Sequence, residues 1–398
     1  MQNEIARQVE VFRRGIVDML EVRELEERIG ESLRAKRPLR IKFGMDPTSP
    51  DLHVGHAVPL MKLRALQDLG HQVVLIVGDA TAMVGDPSGR NKLRPPLTRE
   101  DVEVHLQTYV AQVGRVLDMG KTEVRRNSVW FDQMDFQDVL KLASRMTVAR
   151  MIERDTFQKR IAENEPIGIH ELLYPLMQGW DSVMIRCDME LGGTDQLFNL
   201  LRGRDLQREE GQAGQICFTT RLLNGSDGRK MSKSYGNAIT FNDSATEMFR
   251  KLTSVPNEAL GDWFVTLTNV EEGEIERLVA GDFKAASLRL AAEITTFFHG
   301  ASAAQAARED YERRRKGGIP DDVATHAWPD ESDSIPLMNL LHKVGLAKST
   351  SEGRRDVEGG GVKIDGIVHK DAKFQVARPT DSIVLQVGKN RFARVTPR

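Results

Sequence analysis

The sequence predicts an α/β fold with a parallel sheet, followed by an all-helical region and a small α+β unit. Leu39–Met45 and Val73–Val77 are apolar runs of strand length, and the residues between them, from about Val54 to Leu69, have helical spacing. A strand, a helix and a second strand in this order are typical of a parallel sheet. Residues 245–315 follow a helical period almost throughout, whereas the last 60 or so residues combine Gly-rich turns with short β-branched runs.

The other segments extend this pattern. Residues 5–34 have apolar positions at helical spacing and predict one or two helices. Further helices are predicted over residues 98–118, 136–162 and 169–184, and further strands over Val124–Phe131 and Met189–Leu191. The second of these strands leads into the turn Gly192-Gly193-Thr194-Asp195-Gln196.

These elements predict three domains. The first comprises residues 1–240 and contains an inserted helical segment at about 81–160. Residues 241–320 form a helical domain, residues 321–334 are polar and acidic and predict a linker, and residues 335–398 form the small α+β domain.

Composition places the chain among ordinary globular proteins, with 40% hydrophobic and 29% charged residues. It has no apolar run of about 18 residues, so no membrane span is expected. The N-terminus does not resemble a signal peptide, and two cysteines are too few for a disulfide framework. A cytoplasmic protein is therefore expected.

Charge is distributed unevenly along the chain. The net charge is −2, but residues 342–398 contain 12 Lys/Arg against 6 Asp/Glu, a local charge of +6. The rest of the chain therefore carries −8. A basic tail on an acidic body favours a polyanionic partner for the tail, although an ordinary solvated surface explains the asymmetry equally well when it is taken alone.

Two histidines, His53 and His56, lie where the first predicted helix of the sheet begins, behind a turn stiffened by Pro47 and Pro50. The start of a helix offers unpaired N–H groups and a partial positive charge, so it suits a phosphate group. Gly55 has no side chain and allows another group, such as the adenine or ribose of a nucleotide, to pack closely. Taken alone, this spacing is common, and an accidental pair of surface histidines is the favoured interpretation.

A second basic element is Lys230-Met231-Ser232-Lys233-Ser234, which follows the turn residues Gly225-Ser226-Asp227-Gly228. Two lysines in a Gly/Ser-rich loop can neutralise the negative charge that develops on a leaving pyrophosphate. A solvated basic loop is the default interpretation of two lysines. The occurrence of the histidine and lysine elements in this order is far more specific than either element alone.

Together the two elements resemble the signatures of class I aminoacyl-tRNA synthetases. The resemblance implies a Rossmann-like catalytic domain and a reaction in two steps. An amino-acid carboxylate attacks the α-phosphate of ATP, pyrophosphate leaves, and the acyl group then passes from the adenylate to the terminal ribose of tRNA. It further implies that Mg²⁺ accompanies ATP, with no protein metal site and no tightly bound cofactor.

Three segments make the resemblance specific to bacterial tyrosyl-tRNA synthetases. They are Gly44-Met45-Asp46-Pro47-Thr48, then Gly85-Asp86-Pro87-Ser88-Gly89 following Asp79-Ala80-Thr81, and finally Tyr174, Gln178 and Asp181 together with the turn Gly192–Gln196. The spacing of positions 174, 178 and 181 places the three side chains on one helical face. Such a polar stripe is expected to line a pocket, and a solvated face is the alternative.

The resemblance implies three groups of site residues. For the amino acid, Asp181 receives the phenol, and the ammonium is held by Tyr174, Gln178 and Asp86, with Gln196 and Thr81 beside them. For ATP, the implied contacts are Asp46, Gly55, His56, Gly192, Asp195, Met231 and Lys233. The implied catalytic residues are Thr48, His53, His56, Lys230 and Lys233.

Two positions depart from the family pattern. Many bacterial tyrosyl enzymes have a tyrosine where this chain has Lys42, and its hydroxyl shares in phenol binding. The lysine either points away from the pocket, or water or another side chain replaces the missing hydroxyl. Pro59 follows the histidine element, and at a helix start it removes only a donor that is unpaired anyway.

The tail resembles a small RNA-binding fold shared with a ribosomal small-subunit protein, here called S-four-like. The resemblance rests on Leu340-Leu341, Val344-Gly345-Leu346, the run Ser349–Arg355 and the Gly-rich turn Gly359–Gly366. It implies that Arg354, Arg355 and Lys363 contact tRNA, with Arg90 and Arg94 of the first domain supporting it. Gly353 stands where the pattern usually has alanine, which weakens that helix slightly. The family resemblance also implies a homodimer.

Three alternatives remain at this point. A tryptophanyl-tRNA synthetase shares the catalytic fold but normally lacks the tail domain. A noncatalytic RNA-binding protein derived from a synthetase would not be expected to keep both signatures intact. A P-loop or dinucleotide-binding enzyme is disfavoured because neither glycine-rich motif of those classes occurs in the expected place.

Overall fold

The computed structural model describes residues 1–19, 22–47, 51–88, 98–225, 227–229, 231, 236–315, 319, 323–388 and 391–397. The chain divides into two compact units, Met1–Phe298 and His299–Arg398. The predicted helical domain, residues 241–320, is therefore split between the two units. None of the helices in the described part of the chain has both the length and the apolar character that a membrane span requires.

The helices of the described residues are α1 Gln2–Arg13, α2 Val22–Ala35, α3 Val54–Asp68, α4 Asp79–Val84, α5 Arg99–Val113, α6 Ser128–Phe131, α7 Phe136–Ala143, α8 Val148–Met151, α9 Asp155–Ala162, α10 Ile169–Ile185, α11 Leu197–Glu209, α12 Ala245–Leu252, α13 Leu260–Leu267, α14 Glu272–Ala280, α15 Phe283–His299, α16 Ala301–Arg315, α17 Leu337–Lys343 and α18 Thr350–Glu358.

The strands are β1 Ile16–Met19, β2 Arg40–Met45, β3 Gln72–Val77, β4 Thr122–Arg126, β5 Met189–Gly193, β6 Ile216–Thr220, β7 Thr325–Ala327, β8 Ser334–Pro336, β9 Val362–Ile364, β10 Ile367–His369, β11 Gln375–Ala377, β12 Ile383–Val387 and β13 Arg391–Thr396.

The first unit is built on a six-stranded sheet in the order β1-β6-β5-β2-β3-β4. All neighbouring strands are parallel except β1, which pairs antiparallel with β6 at one edge. The β-branched strand β3 is buried along nearly its whole length, as expected for a strand covered on both faces. The predicted parallel α/β fold is confirmed.

The sequence patterns missed two strands of this sheet. Strand β1 lies within residues 5–34, whose spacing predicts helix, and β6 has no counterpart among the predicted strands. The predicted inserted helical segment is also interrupted, because β4 lies inside it and pairs with β3. Four-residue β1 is too short to show a period of two, so its sheet pairing could not be recognised locally.

The second unit contains a five-stranded sheet in the order β10-β9-β12-β13-β7 and a two-stranded ribbon of β8 and β11. Its hydrophobic core includes Trp328, Leu340, Leu341, Val357 and Leu385, all buried.

The predicted linker, residues 321–334, is wrong for its described part. Strand β7 pairs in parallel with β13, and Trp328 is only 2% exposed. The backbone N–H of Trp328 donates to the carbonyl of Thr396 at 3.0 Å, and its indole N–H donates to the carbonyl of Ser332 at 2.8 Å. The buried indole of Trp328 fixes this otherwise polar segment to the second unit. The polar composition from which a linker was predicted therefore did not reveal that the segment is folded.

Candidate active site

A cavity of about 760 Å³ opens at the carboxyl ends of β2, β3, β5 and β6. In the sheet, β2 has β3 on one side and β5 on the other, and among the parallel strands the chain forms β2, β3 and β4 before it crosses to β5 and β6. Loops that leave two adjacent parallel strands in opposite directions create a crevice, which is where open α/β sheets bind ligands. The fold therefore places a cavity of ligand size at the expected point.

Most of the predicted site residues line this one cavity. They are Asp46, Gly55, His56, Thr81, Asp86, Tyr174, Gln178, Asp181, Gly192, Asp195 and Gln196. Thr48, Arg90, Arg94, Lys230 and Lys233 lie outside the described residues. Arg354, Arg355 and Lys363 belong to the second unit.

Asp181 lines the cavity and is 3% exposed. Its Oδ1 accepts a hydrogen bond from the indole N–H of Trp130 at 2.9 Å, and its Oδ2 accepts one from the amide of Asn127 at 3.3 Å. Burial raises the pKa of Asp181 to about 7, and the nearby ammonium of Lys42 opposes that rise. The carboxyl group is thus fixed in orientation and close to its ionisation point at neutral pH.

Sequence reasoning missed both Asn127 and Trp130. It treated Val124–Phe131 as one strand, whereas β4 ends at Arg126 and the chain turns into α6. Both residues follow the carboxyl end of a parallel strand, and that position was the available signal. Asn127 also accepts from the N–H of Ala80 at 2.9 Å and donates to the hydroxyl of Thr81 at 3.1 Å, so it joins two walls of the cavity.

Lys42 does not point to solvent. It is completely buried on β2, and its ammonium donates to the carbonyl of Gln178 at 2.6 Å and to the hydroxyl of Ser182 at 2.8 Å. It also forms an ion pair of 3.0 Å with Glu190 of β5. The departure from the family pattern is therefore an internal charge beneath the cavity.

Two further carboxylates, those of Asp46 and Asp86, line the cavity. Asp46 accepts hydrogen bonds from the hydroxyl of Thr81 at 2.7 Å and from the phenol of Tyr174 at 2.9 Å. Burial, together with repulsion from Asp86, raises the pKa of Asp46 to about 7. Asp86 accepts from the amide of Gln196 at 2.8 Å. Asp46, which was predicted to bind ATP, is thus hydrogen-bonded to Thr81 and Tyr174, which were predicted to bind tyrosine.

A chain of amides connects these groups. Asn199 donates to Oε1 of Gln178 at 2.8 Å and to Oε1 of Gln196 at 2.9 Å. Gln178 in turn donates to Glu190 at 3.2 Å. Asn199 is fully buried on α11, and nothing in its local sequence distinguishes it from other helical residues.

The histidine element begins α3, with His53 as the N-terminal cap. Nδ1 of His56 accepts from the backbone N–H of His53 at 3.2 Å, and the two rings lie 3.9 Å apart. Burial lowers the pKa of His56 to about 4, so the ring is neutral at physiological pH. Because Nδ1 is the acceptor, the proton resides on Nε2, which makes His56 a hydrogen-bond donor.

The glycine and the proline of α3 act differently from the sequence prediction. A Cβ on Gly55 would lie 3.0 Å from the ring of His53, so the close neighbour that glycine admits is that histidine. Pro59 is the sixth residue of α3, beyond the four N–H groups that a helix start leaves unpaired. It therefore removes the helical hydrogen bond to the carbonyl of Gly55, and both residues line the cavity.

Met231 of the lysine element and the described residues that follow that element lie at the start of α3. The backbone N–H of Val54 donates to the carbonyl of Ile239 at 2.9 Å, and His53 forms a β-bridge with Thr240. Met231 of the lysine element is 5% exposed, and its sulfur would lie 3.9 Å from a Cβ on Gly55. Segments far apart in sequence are thus brought to the same edge of one cavity.

A family model described as tRNA synthetases class I (W and Y) matches residues 34–314, and one for the S4 domain matches residues 335–383. The tyrosine–tRNA ligase of Ralstonia nicotianae is 47% identical over 393 residues, which cover 97% of this chain and 99% of that protein. The chain belongs to the tyrosine–tRNA ligases. The ligase of Nitrosospira multiformis is 46% identical and covers 98% of each chain.

Solved structures of this family share the fold. The truncated mitochondrial tyrosyl-tRNA synthetase of Aspergillus nidulans aligns with a TM-score of 0.64 at 22% identity, covering 78% of this chain and 99% of that one. The tyrosyl-tRNA synthetase of Archaeoglobus fulgidus complexed with L-tyrosine aligns with a TM-score of 0.58 at 22% identity, covering 77% and 99%. The predicted family, fold class and tyrosine–tRNA ligase function are confirmed, while the individual residue assignments stay predictions.

Proposed function

We propose that the cavity activates L-tyrosine with ATP to form tyrosyl-adenylate and pyrophosphate, and that the chain then transfers tyrosine to the terminal ribose of tRNA(Tyr). One observation carries this proposal. The cavity is lined by Gly55 and His56 of the histidine element, beside which Met231 of the lysine element lies, and also by the buried carboxylate of Asp181. A nucleotide and an amino acid can therefore react in the space between them.

In this proposal the phenol of tyrosine donates to Asp181, whose orientation is already set by Trp130 and Asn127. Phenylalanine would leave that buried carboxylate unpaired, and tyrosyl-tRNA synthetases are an established example of such discrimination. The substrate ammonium lies among Asp86, Tyr174 and Gln178, with Gln196 and Thr81 next to them.

The proposed nucleotide site uses the start of α3. Neutral His56 donates from Nε2 to the ribose or α-phosphate, and His53 and Thr48 lie at the phosphates. Asp195 and Gly192 meet the ribose, with Asp46, Gly55 and Met231 nearby. Lys230 and Lys233 neutralise the leaving pyrophosphate, and Mg²⁺ is held mainly by phosphate oxygens.

Binding of tRNA is assigned to the second unit, together with Arg90 and Arg94. Arg354 and Arg355 are both exposed on α18, and Lys363 lies on the neighbouring strand β9. A Cβ on Gly353 would lie 2.8 Å from the carbonyl of Met338, so glycine allows α18 to approach α17 closely. This close approach explains a glycine at a helical position where propensity favours alanine.

A homodimer is also proposed, working in the cytoplasm. Six large apolar side chains between residues 129 and 169 are half or more exposed. They are Val129, Phe136, Leu140, Val148, Ile161 and Ile169. A matching surface on a second copy would bury them, and sedimentation of Phe136→Glu should show a shift towards monomer.

Pyrophosphate exchange with each of the twenty amino acids tests the proposed function. The wild-type protein should exchange with tyrosine alone, and Asp181→Ala should lose discrimination between tyrosine and phenylalanine because the buried acceptor is gone. Asp68→Ala, which removes an exposed carboxylate at the other end of α3, is the matched control and should behave as wild type. Exchange supported by tryptophan instead of tyrosine would refute the assignment.

A further inference from the structure

The ion pair between Lys42 and Glu190 is the most completely buried one among the described residues, with side chains 0% and 1% exposed. The two residues are direct neighbours in the parallel register of β2 and β5. Glu190 also accepts from the hydroxyl of Ser182 at 3.1 Å and from the amide of Gln215. Every polar group of the pair therefore has a partner.

Stability does not explain this pair. Removing two charges from water costs several kcal/mol per ion. A protein with apolar residues of similar size in place of a buried ion pair is often as stable or more stable. Strands β2 and β5 are otherwise lined by buried apolar residues such as Ile41, Met189 and Leu191. Both residues of the pair bond to Gln178, which lines the cavity, so the buried charge is expected to serve that cavity.

We propose that Lys42 is a specificity-determining positioning residue, which acts on tyrosine through Asp181 and Gln178 without touching the substrate. This inference rests on the proposed function of the cavity. The Lys42–Glu190 pair reaches both ends of the amino-acid site, because Lys42 supplies charge to the phenol end and Glu190 orients an amide at the ammonium end.

At the phenol end, the charged and titratable groups that act on Asp181 come from three elements. Lys42 lies on β2, Glu190 on β5 and Tyr174 on α10, while Asn127 and Trp130 are neutral donors. Lys42 is the cation in this set, and its ammonium donates at 2.8 Å to the hydroxyl of Ser182, the residue next to Asp181. Its attraction lowers the pKa of Asp181, whereas Glu190 raises it. Lys42 therefore keeps Asp181 available as an acceptor for the phenol.

At the ammonium end, Glu190 accepts one N–H of Gln178 at 3.2 Å. This contact directs Oε1 of Gln178 towards Asn199, which also holds Oε1 of Gln196. Gln196 is then oriented to donate to Asp86 at 2.8 Å. The buried pair thus anchors one end of a hydrogen-bond chain that reaches the carboxylate proposed to bind the substrate ammonium.

The test compares Lys42→Met, Glu190→Gln and the double variant by the pH profile of kcat/KM for tyrosine between pH 5 and 8.5. This profile reports ionisations of the free enzyme. Lys42→Met leaves the carboxylates of Asp181 and Glu190 without a neighbouring cation, so the pKa of Asp181 should rise. The acidic limb of the pH profile should therefore move to higher pH. On that limb, a displacement of about one pH unit lowers kcat/KM roughly tenfold at a fixed pH. KM for ATP should stay near the wild-type value.

Glu190→Gln should move the same limb to lower pH, since a negative neighbour of Asp181 is removed. The double variant should lie between the two single variants. Opposite shifts from the two changes distinguish charge tuning from general damage, because a purely structural role would lower stability without moving the limb. Glu190→Gln keeps a similar shape, so it remains informative if Lys42→Met does not fold.

Superimposable limbs for the wild-type protein and the folded variants would overturn the inference. Absence of tyrosine-dependent exchange in the wild-type protein would instead overturn the proposed function, so the two failures are distinguishable. Tyrosine-to-phenylalanine discrimination measured in parallel should decrease in Lys42→Met and remain in Glu190→Gln.

Discussion

Replacing Gly78 by alanine inserts a methyl group into the hydrogen bond between Thr81 and Asp46. Gly78 follows β3 and precedes α4, and an added Cβ would lie 1.9 Å from Oδ1 of Asp46 and 2.3 Å from Oγ1 of Thr81. These two atoms are hydrogen-bonded to each other at 2.7 Å. The backbone of Gly78 has φ −78°, which alanine also adopts, so the conflict is with side chains alone.

The size of the effect follows from the bonds that are displaced. Asp46 must move away from Thr81, and this movement also disturbs its bond from the phenol of Tyr174 at 2.9 Å. A hydrogen bond to an ionised group contributes about 1.5–3 kcal/mol. If that energy is realised in the transition state, kcat/KM for tyrosine falls by roughly ten- to 150-fold.

The measurement is tyrosine-dependent pyrophosphate exchange, together with thermal unfolding in the absence of substrates. Gly273→Ala is the matched control, because a Cβ there meets no atom within 4 Å and the site is on α14, where alanine is favoured over glycine. Gly78→Ala should lose both activity and stability, whereas the control should lose neither. Activity of Gly78→Ala within twofold of wild type would refute the proposed part of Asp46 in the site.

Three further predictions concern other parts of the molecule. Asn127→Ala should raise KM for tyrosine about tenfold or more, because the N–H of Ala80 and a carboxylate oxygen of Asp181 each lose a buried partner; an unchanged KM would contradict this. Burial lowers the pKa of His71 to about 4, so the histidine contributes stability above pH 6.5 that is lost as pH falls towards 4. As pH falls from 6.5 to 4, the unfolding free energy of His71→Phe in urea should therefore rise relative to that of wild type by about 2–3 kcal/mol. A difference between the two proteins that does not change with pH would refute the lowered pKa of His71 as the cause. The double variant Arg354→Ala with Arg355→Ala should weaken tRNA charging and flatten its salt dependence, while tyrosine-dependent exchange stays intact. The control is Arg277→Ala, which replaces an exposed arginine of α14.

The second unit also determines how its contribution should be tested. A truncation at residue 335 would be the natural choice if residues 321–334 were a linker. Strand β7 and Trp328 belong to the folded core of that unit, so such a cut would leave them without β13 and the surrounding apolar side chains. Point substitutions on α18 avoid this complication.

The sequence by itself determined the chemistry and the elements that carry it. The apolar runs of β2 and β3, the helical spacing of α3 and α10, and the histidine and lysine signatures are all local patterns. Such patterns depend on residues within one or two turns of each other, so they can be recognised without the fold. The polar stripe of Tyr174, Gln178 and Asp181 was found in this way, and all three residues line the cavity.

The tertiary structure alone decided what surrounds that stripe. Lys42 faces Glu190 only because β2 and β5 are neighbours in the sheet, and Asn127 reaches Asp181 only because β4 ends at the same edge. Asn199 is placed by the packing of α11 against α10. A buried polar group needs a partner, but the sequence does not say which distant residue supplies it, because that depends on strand order and register.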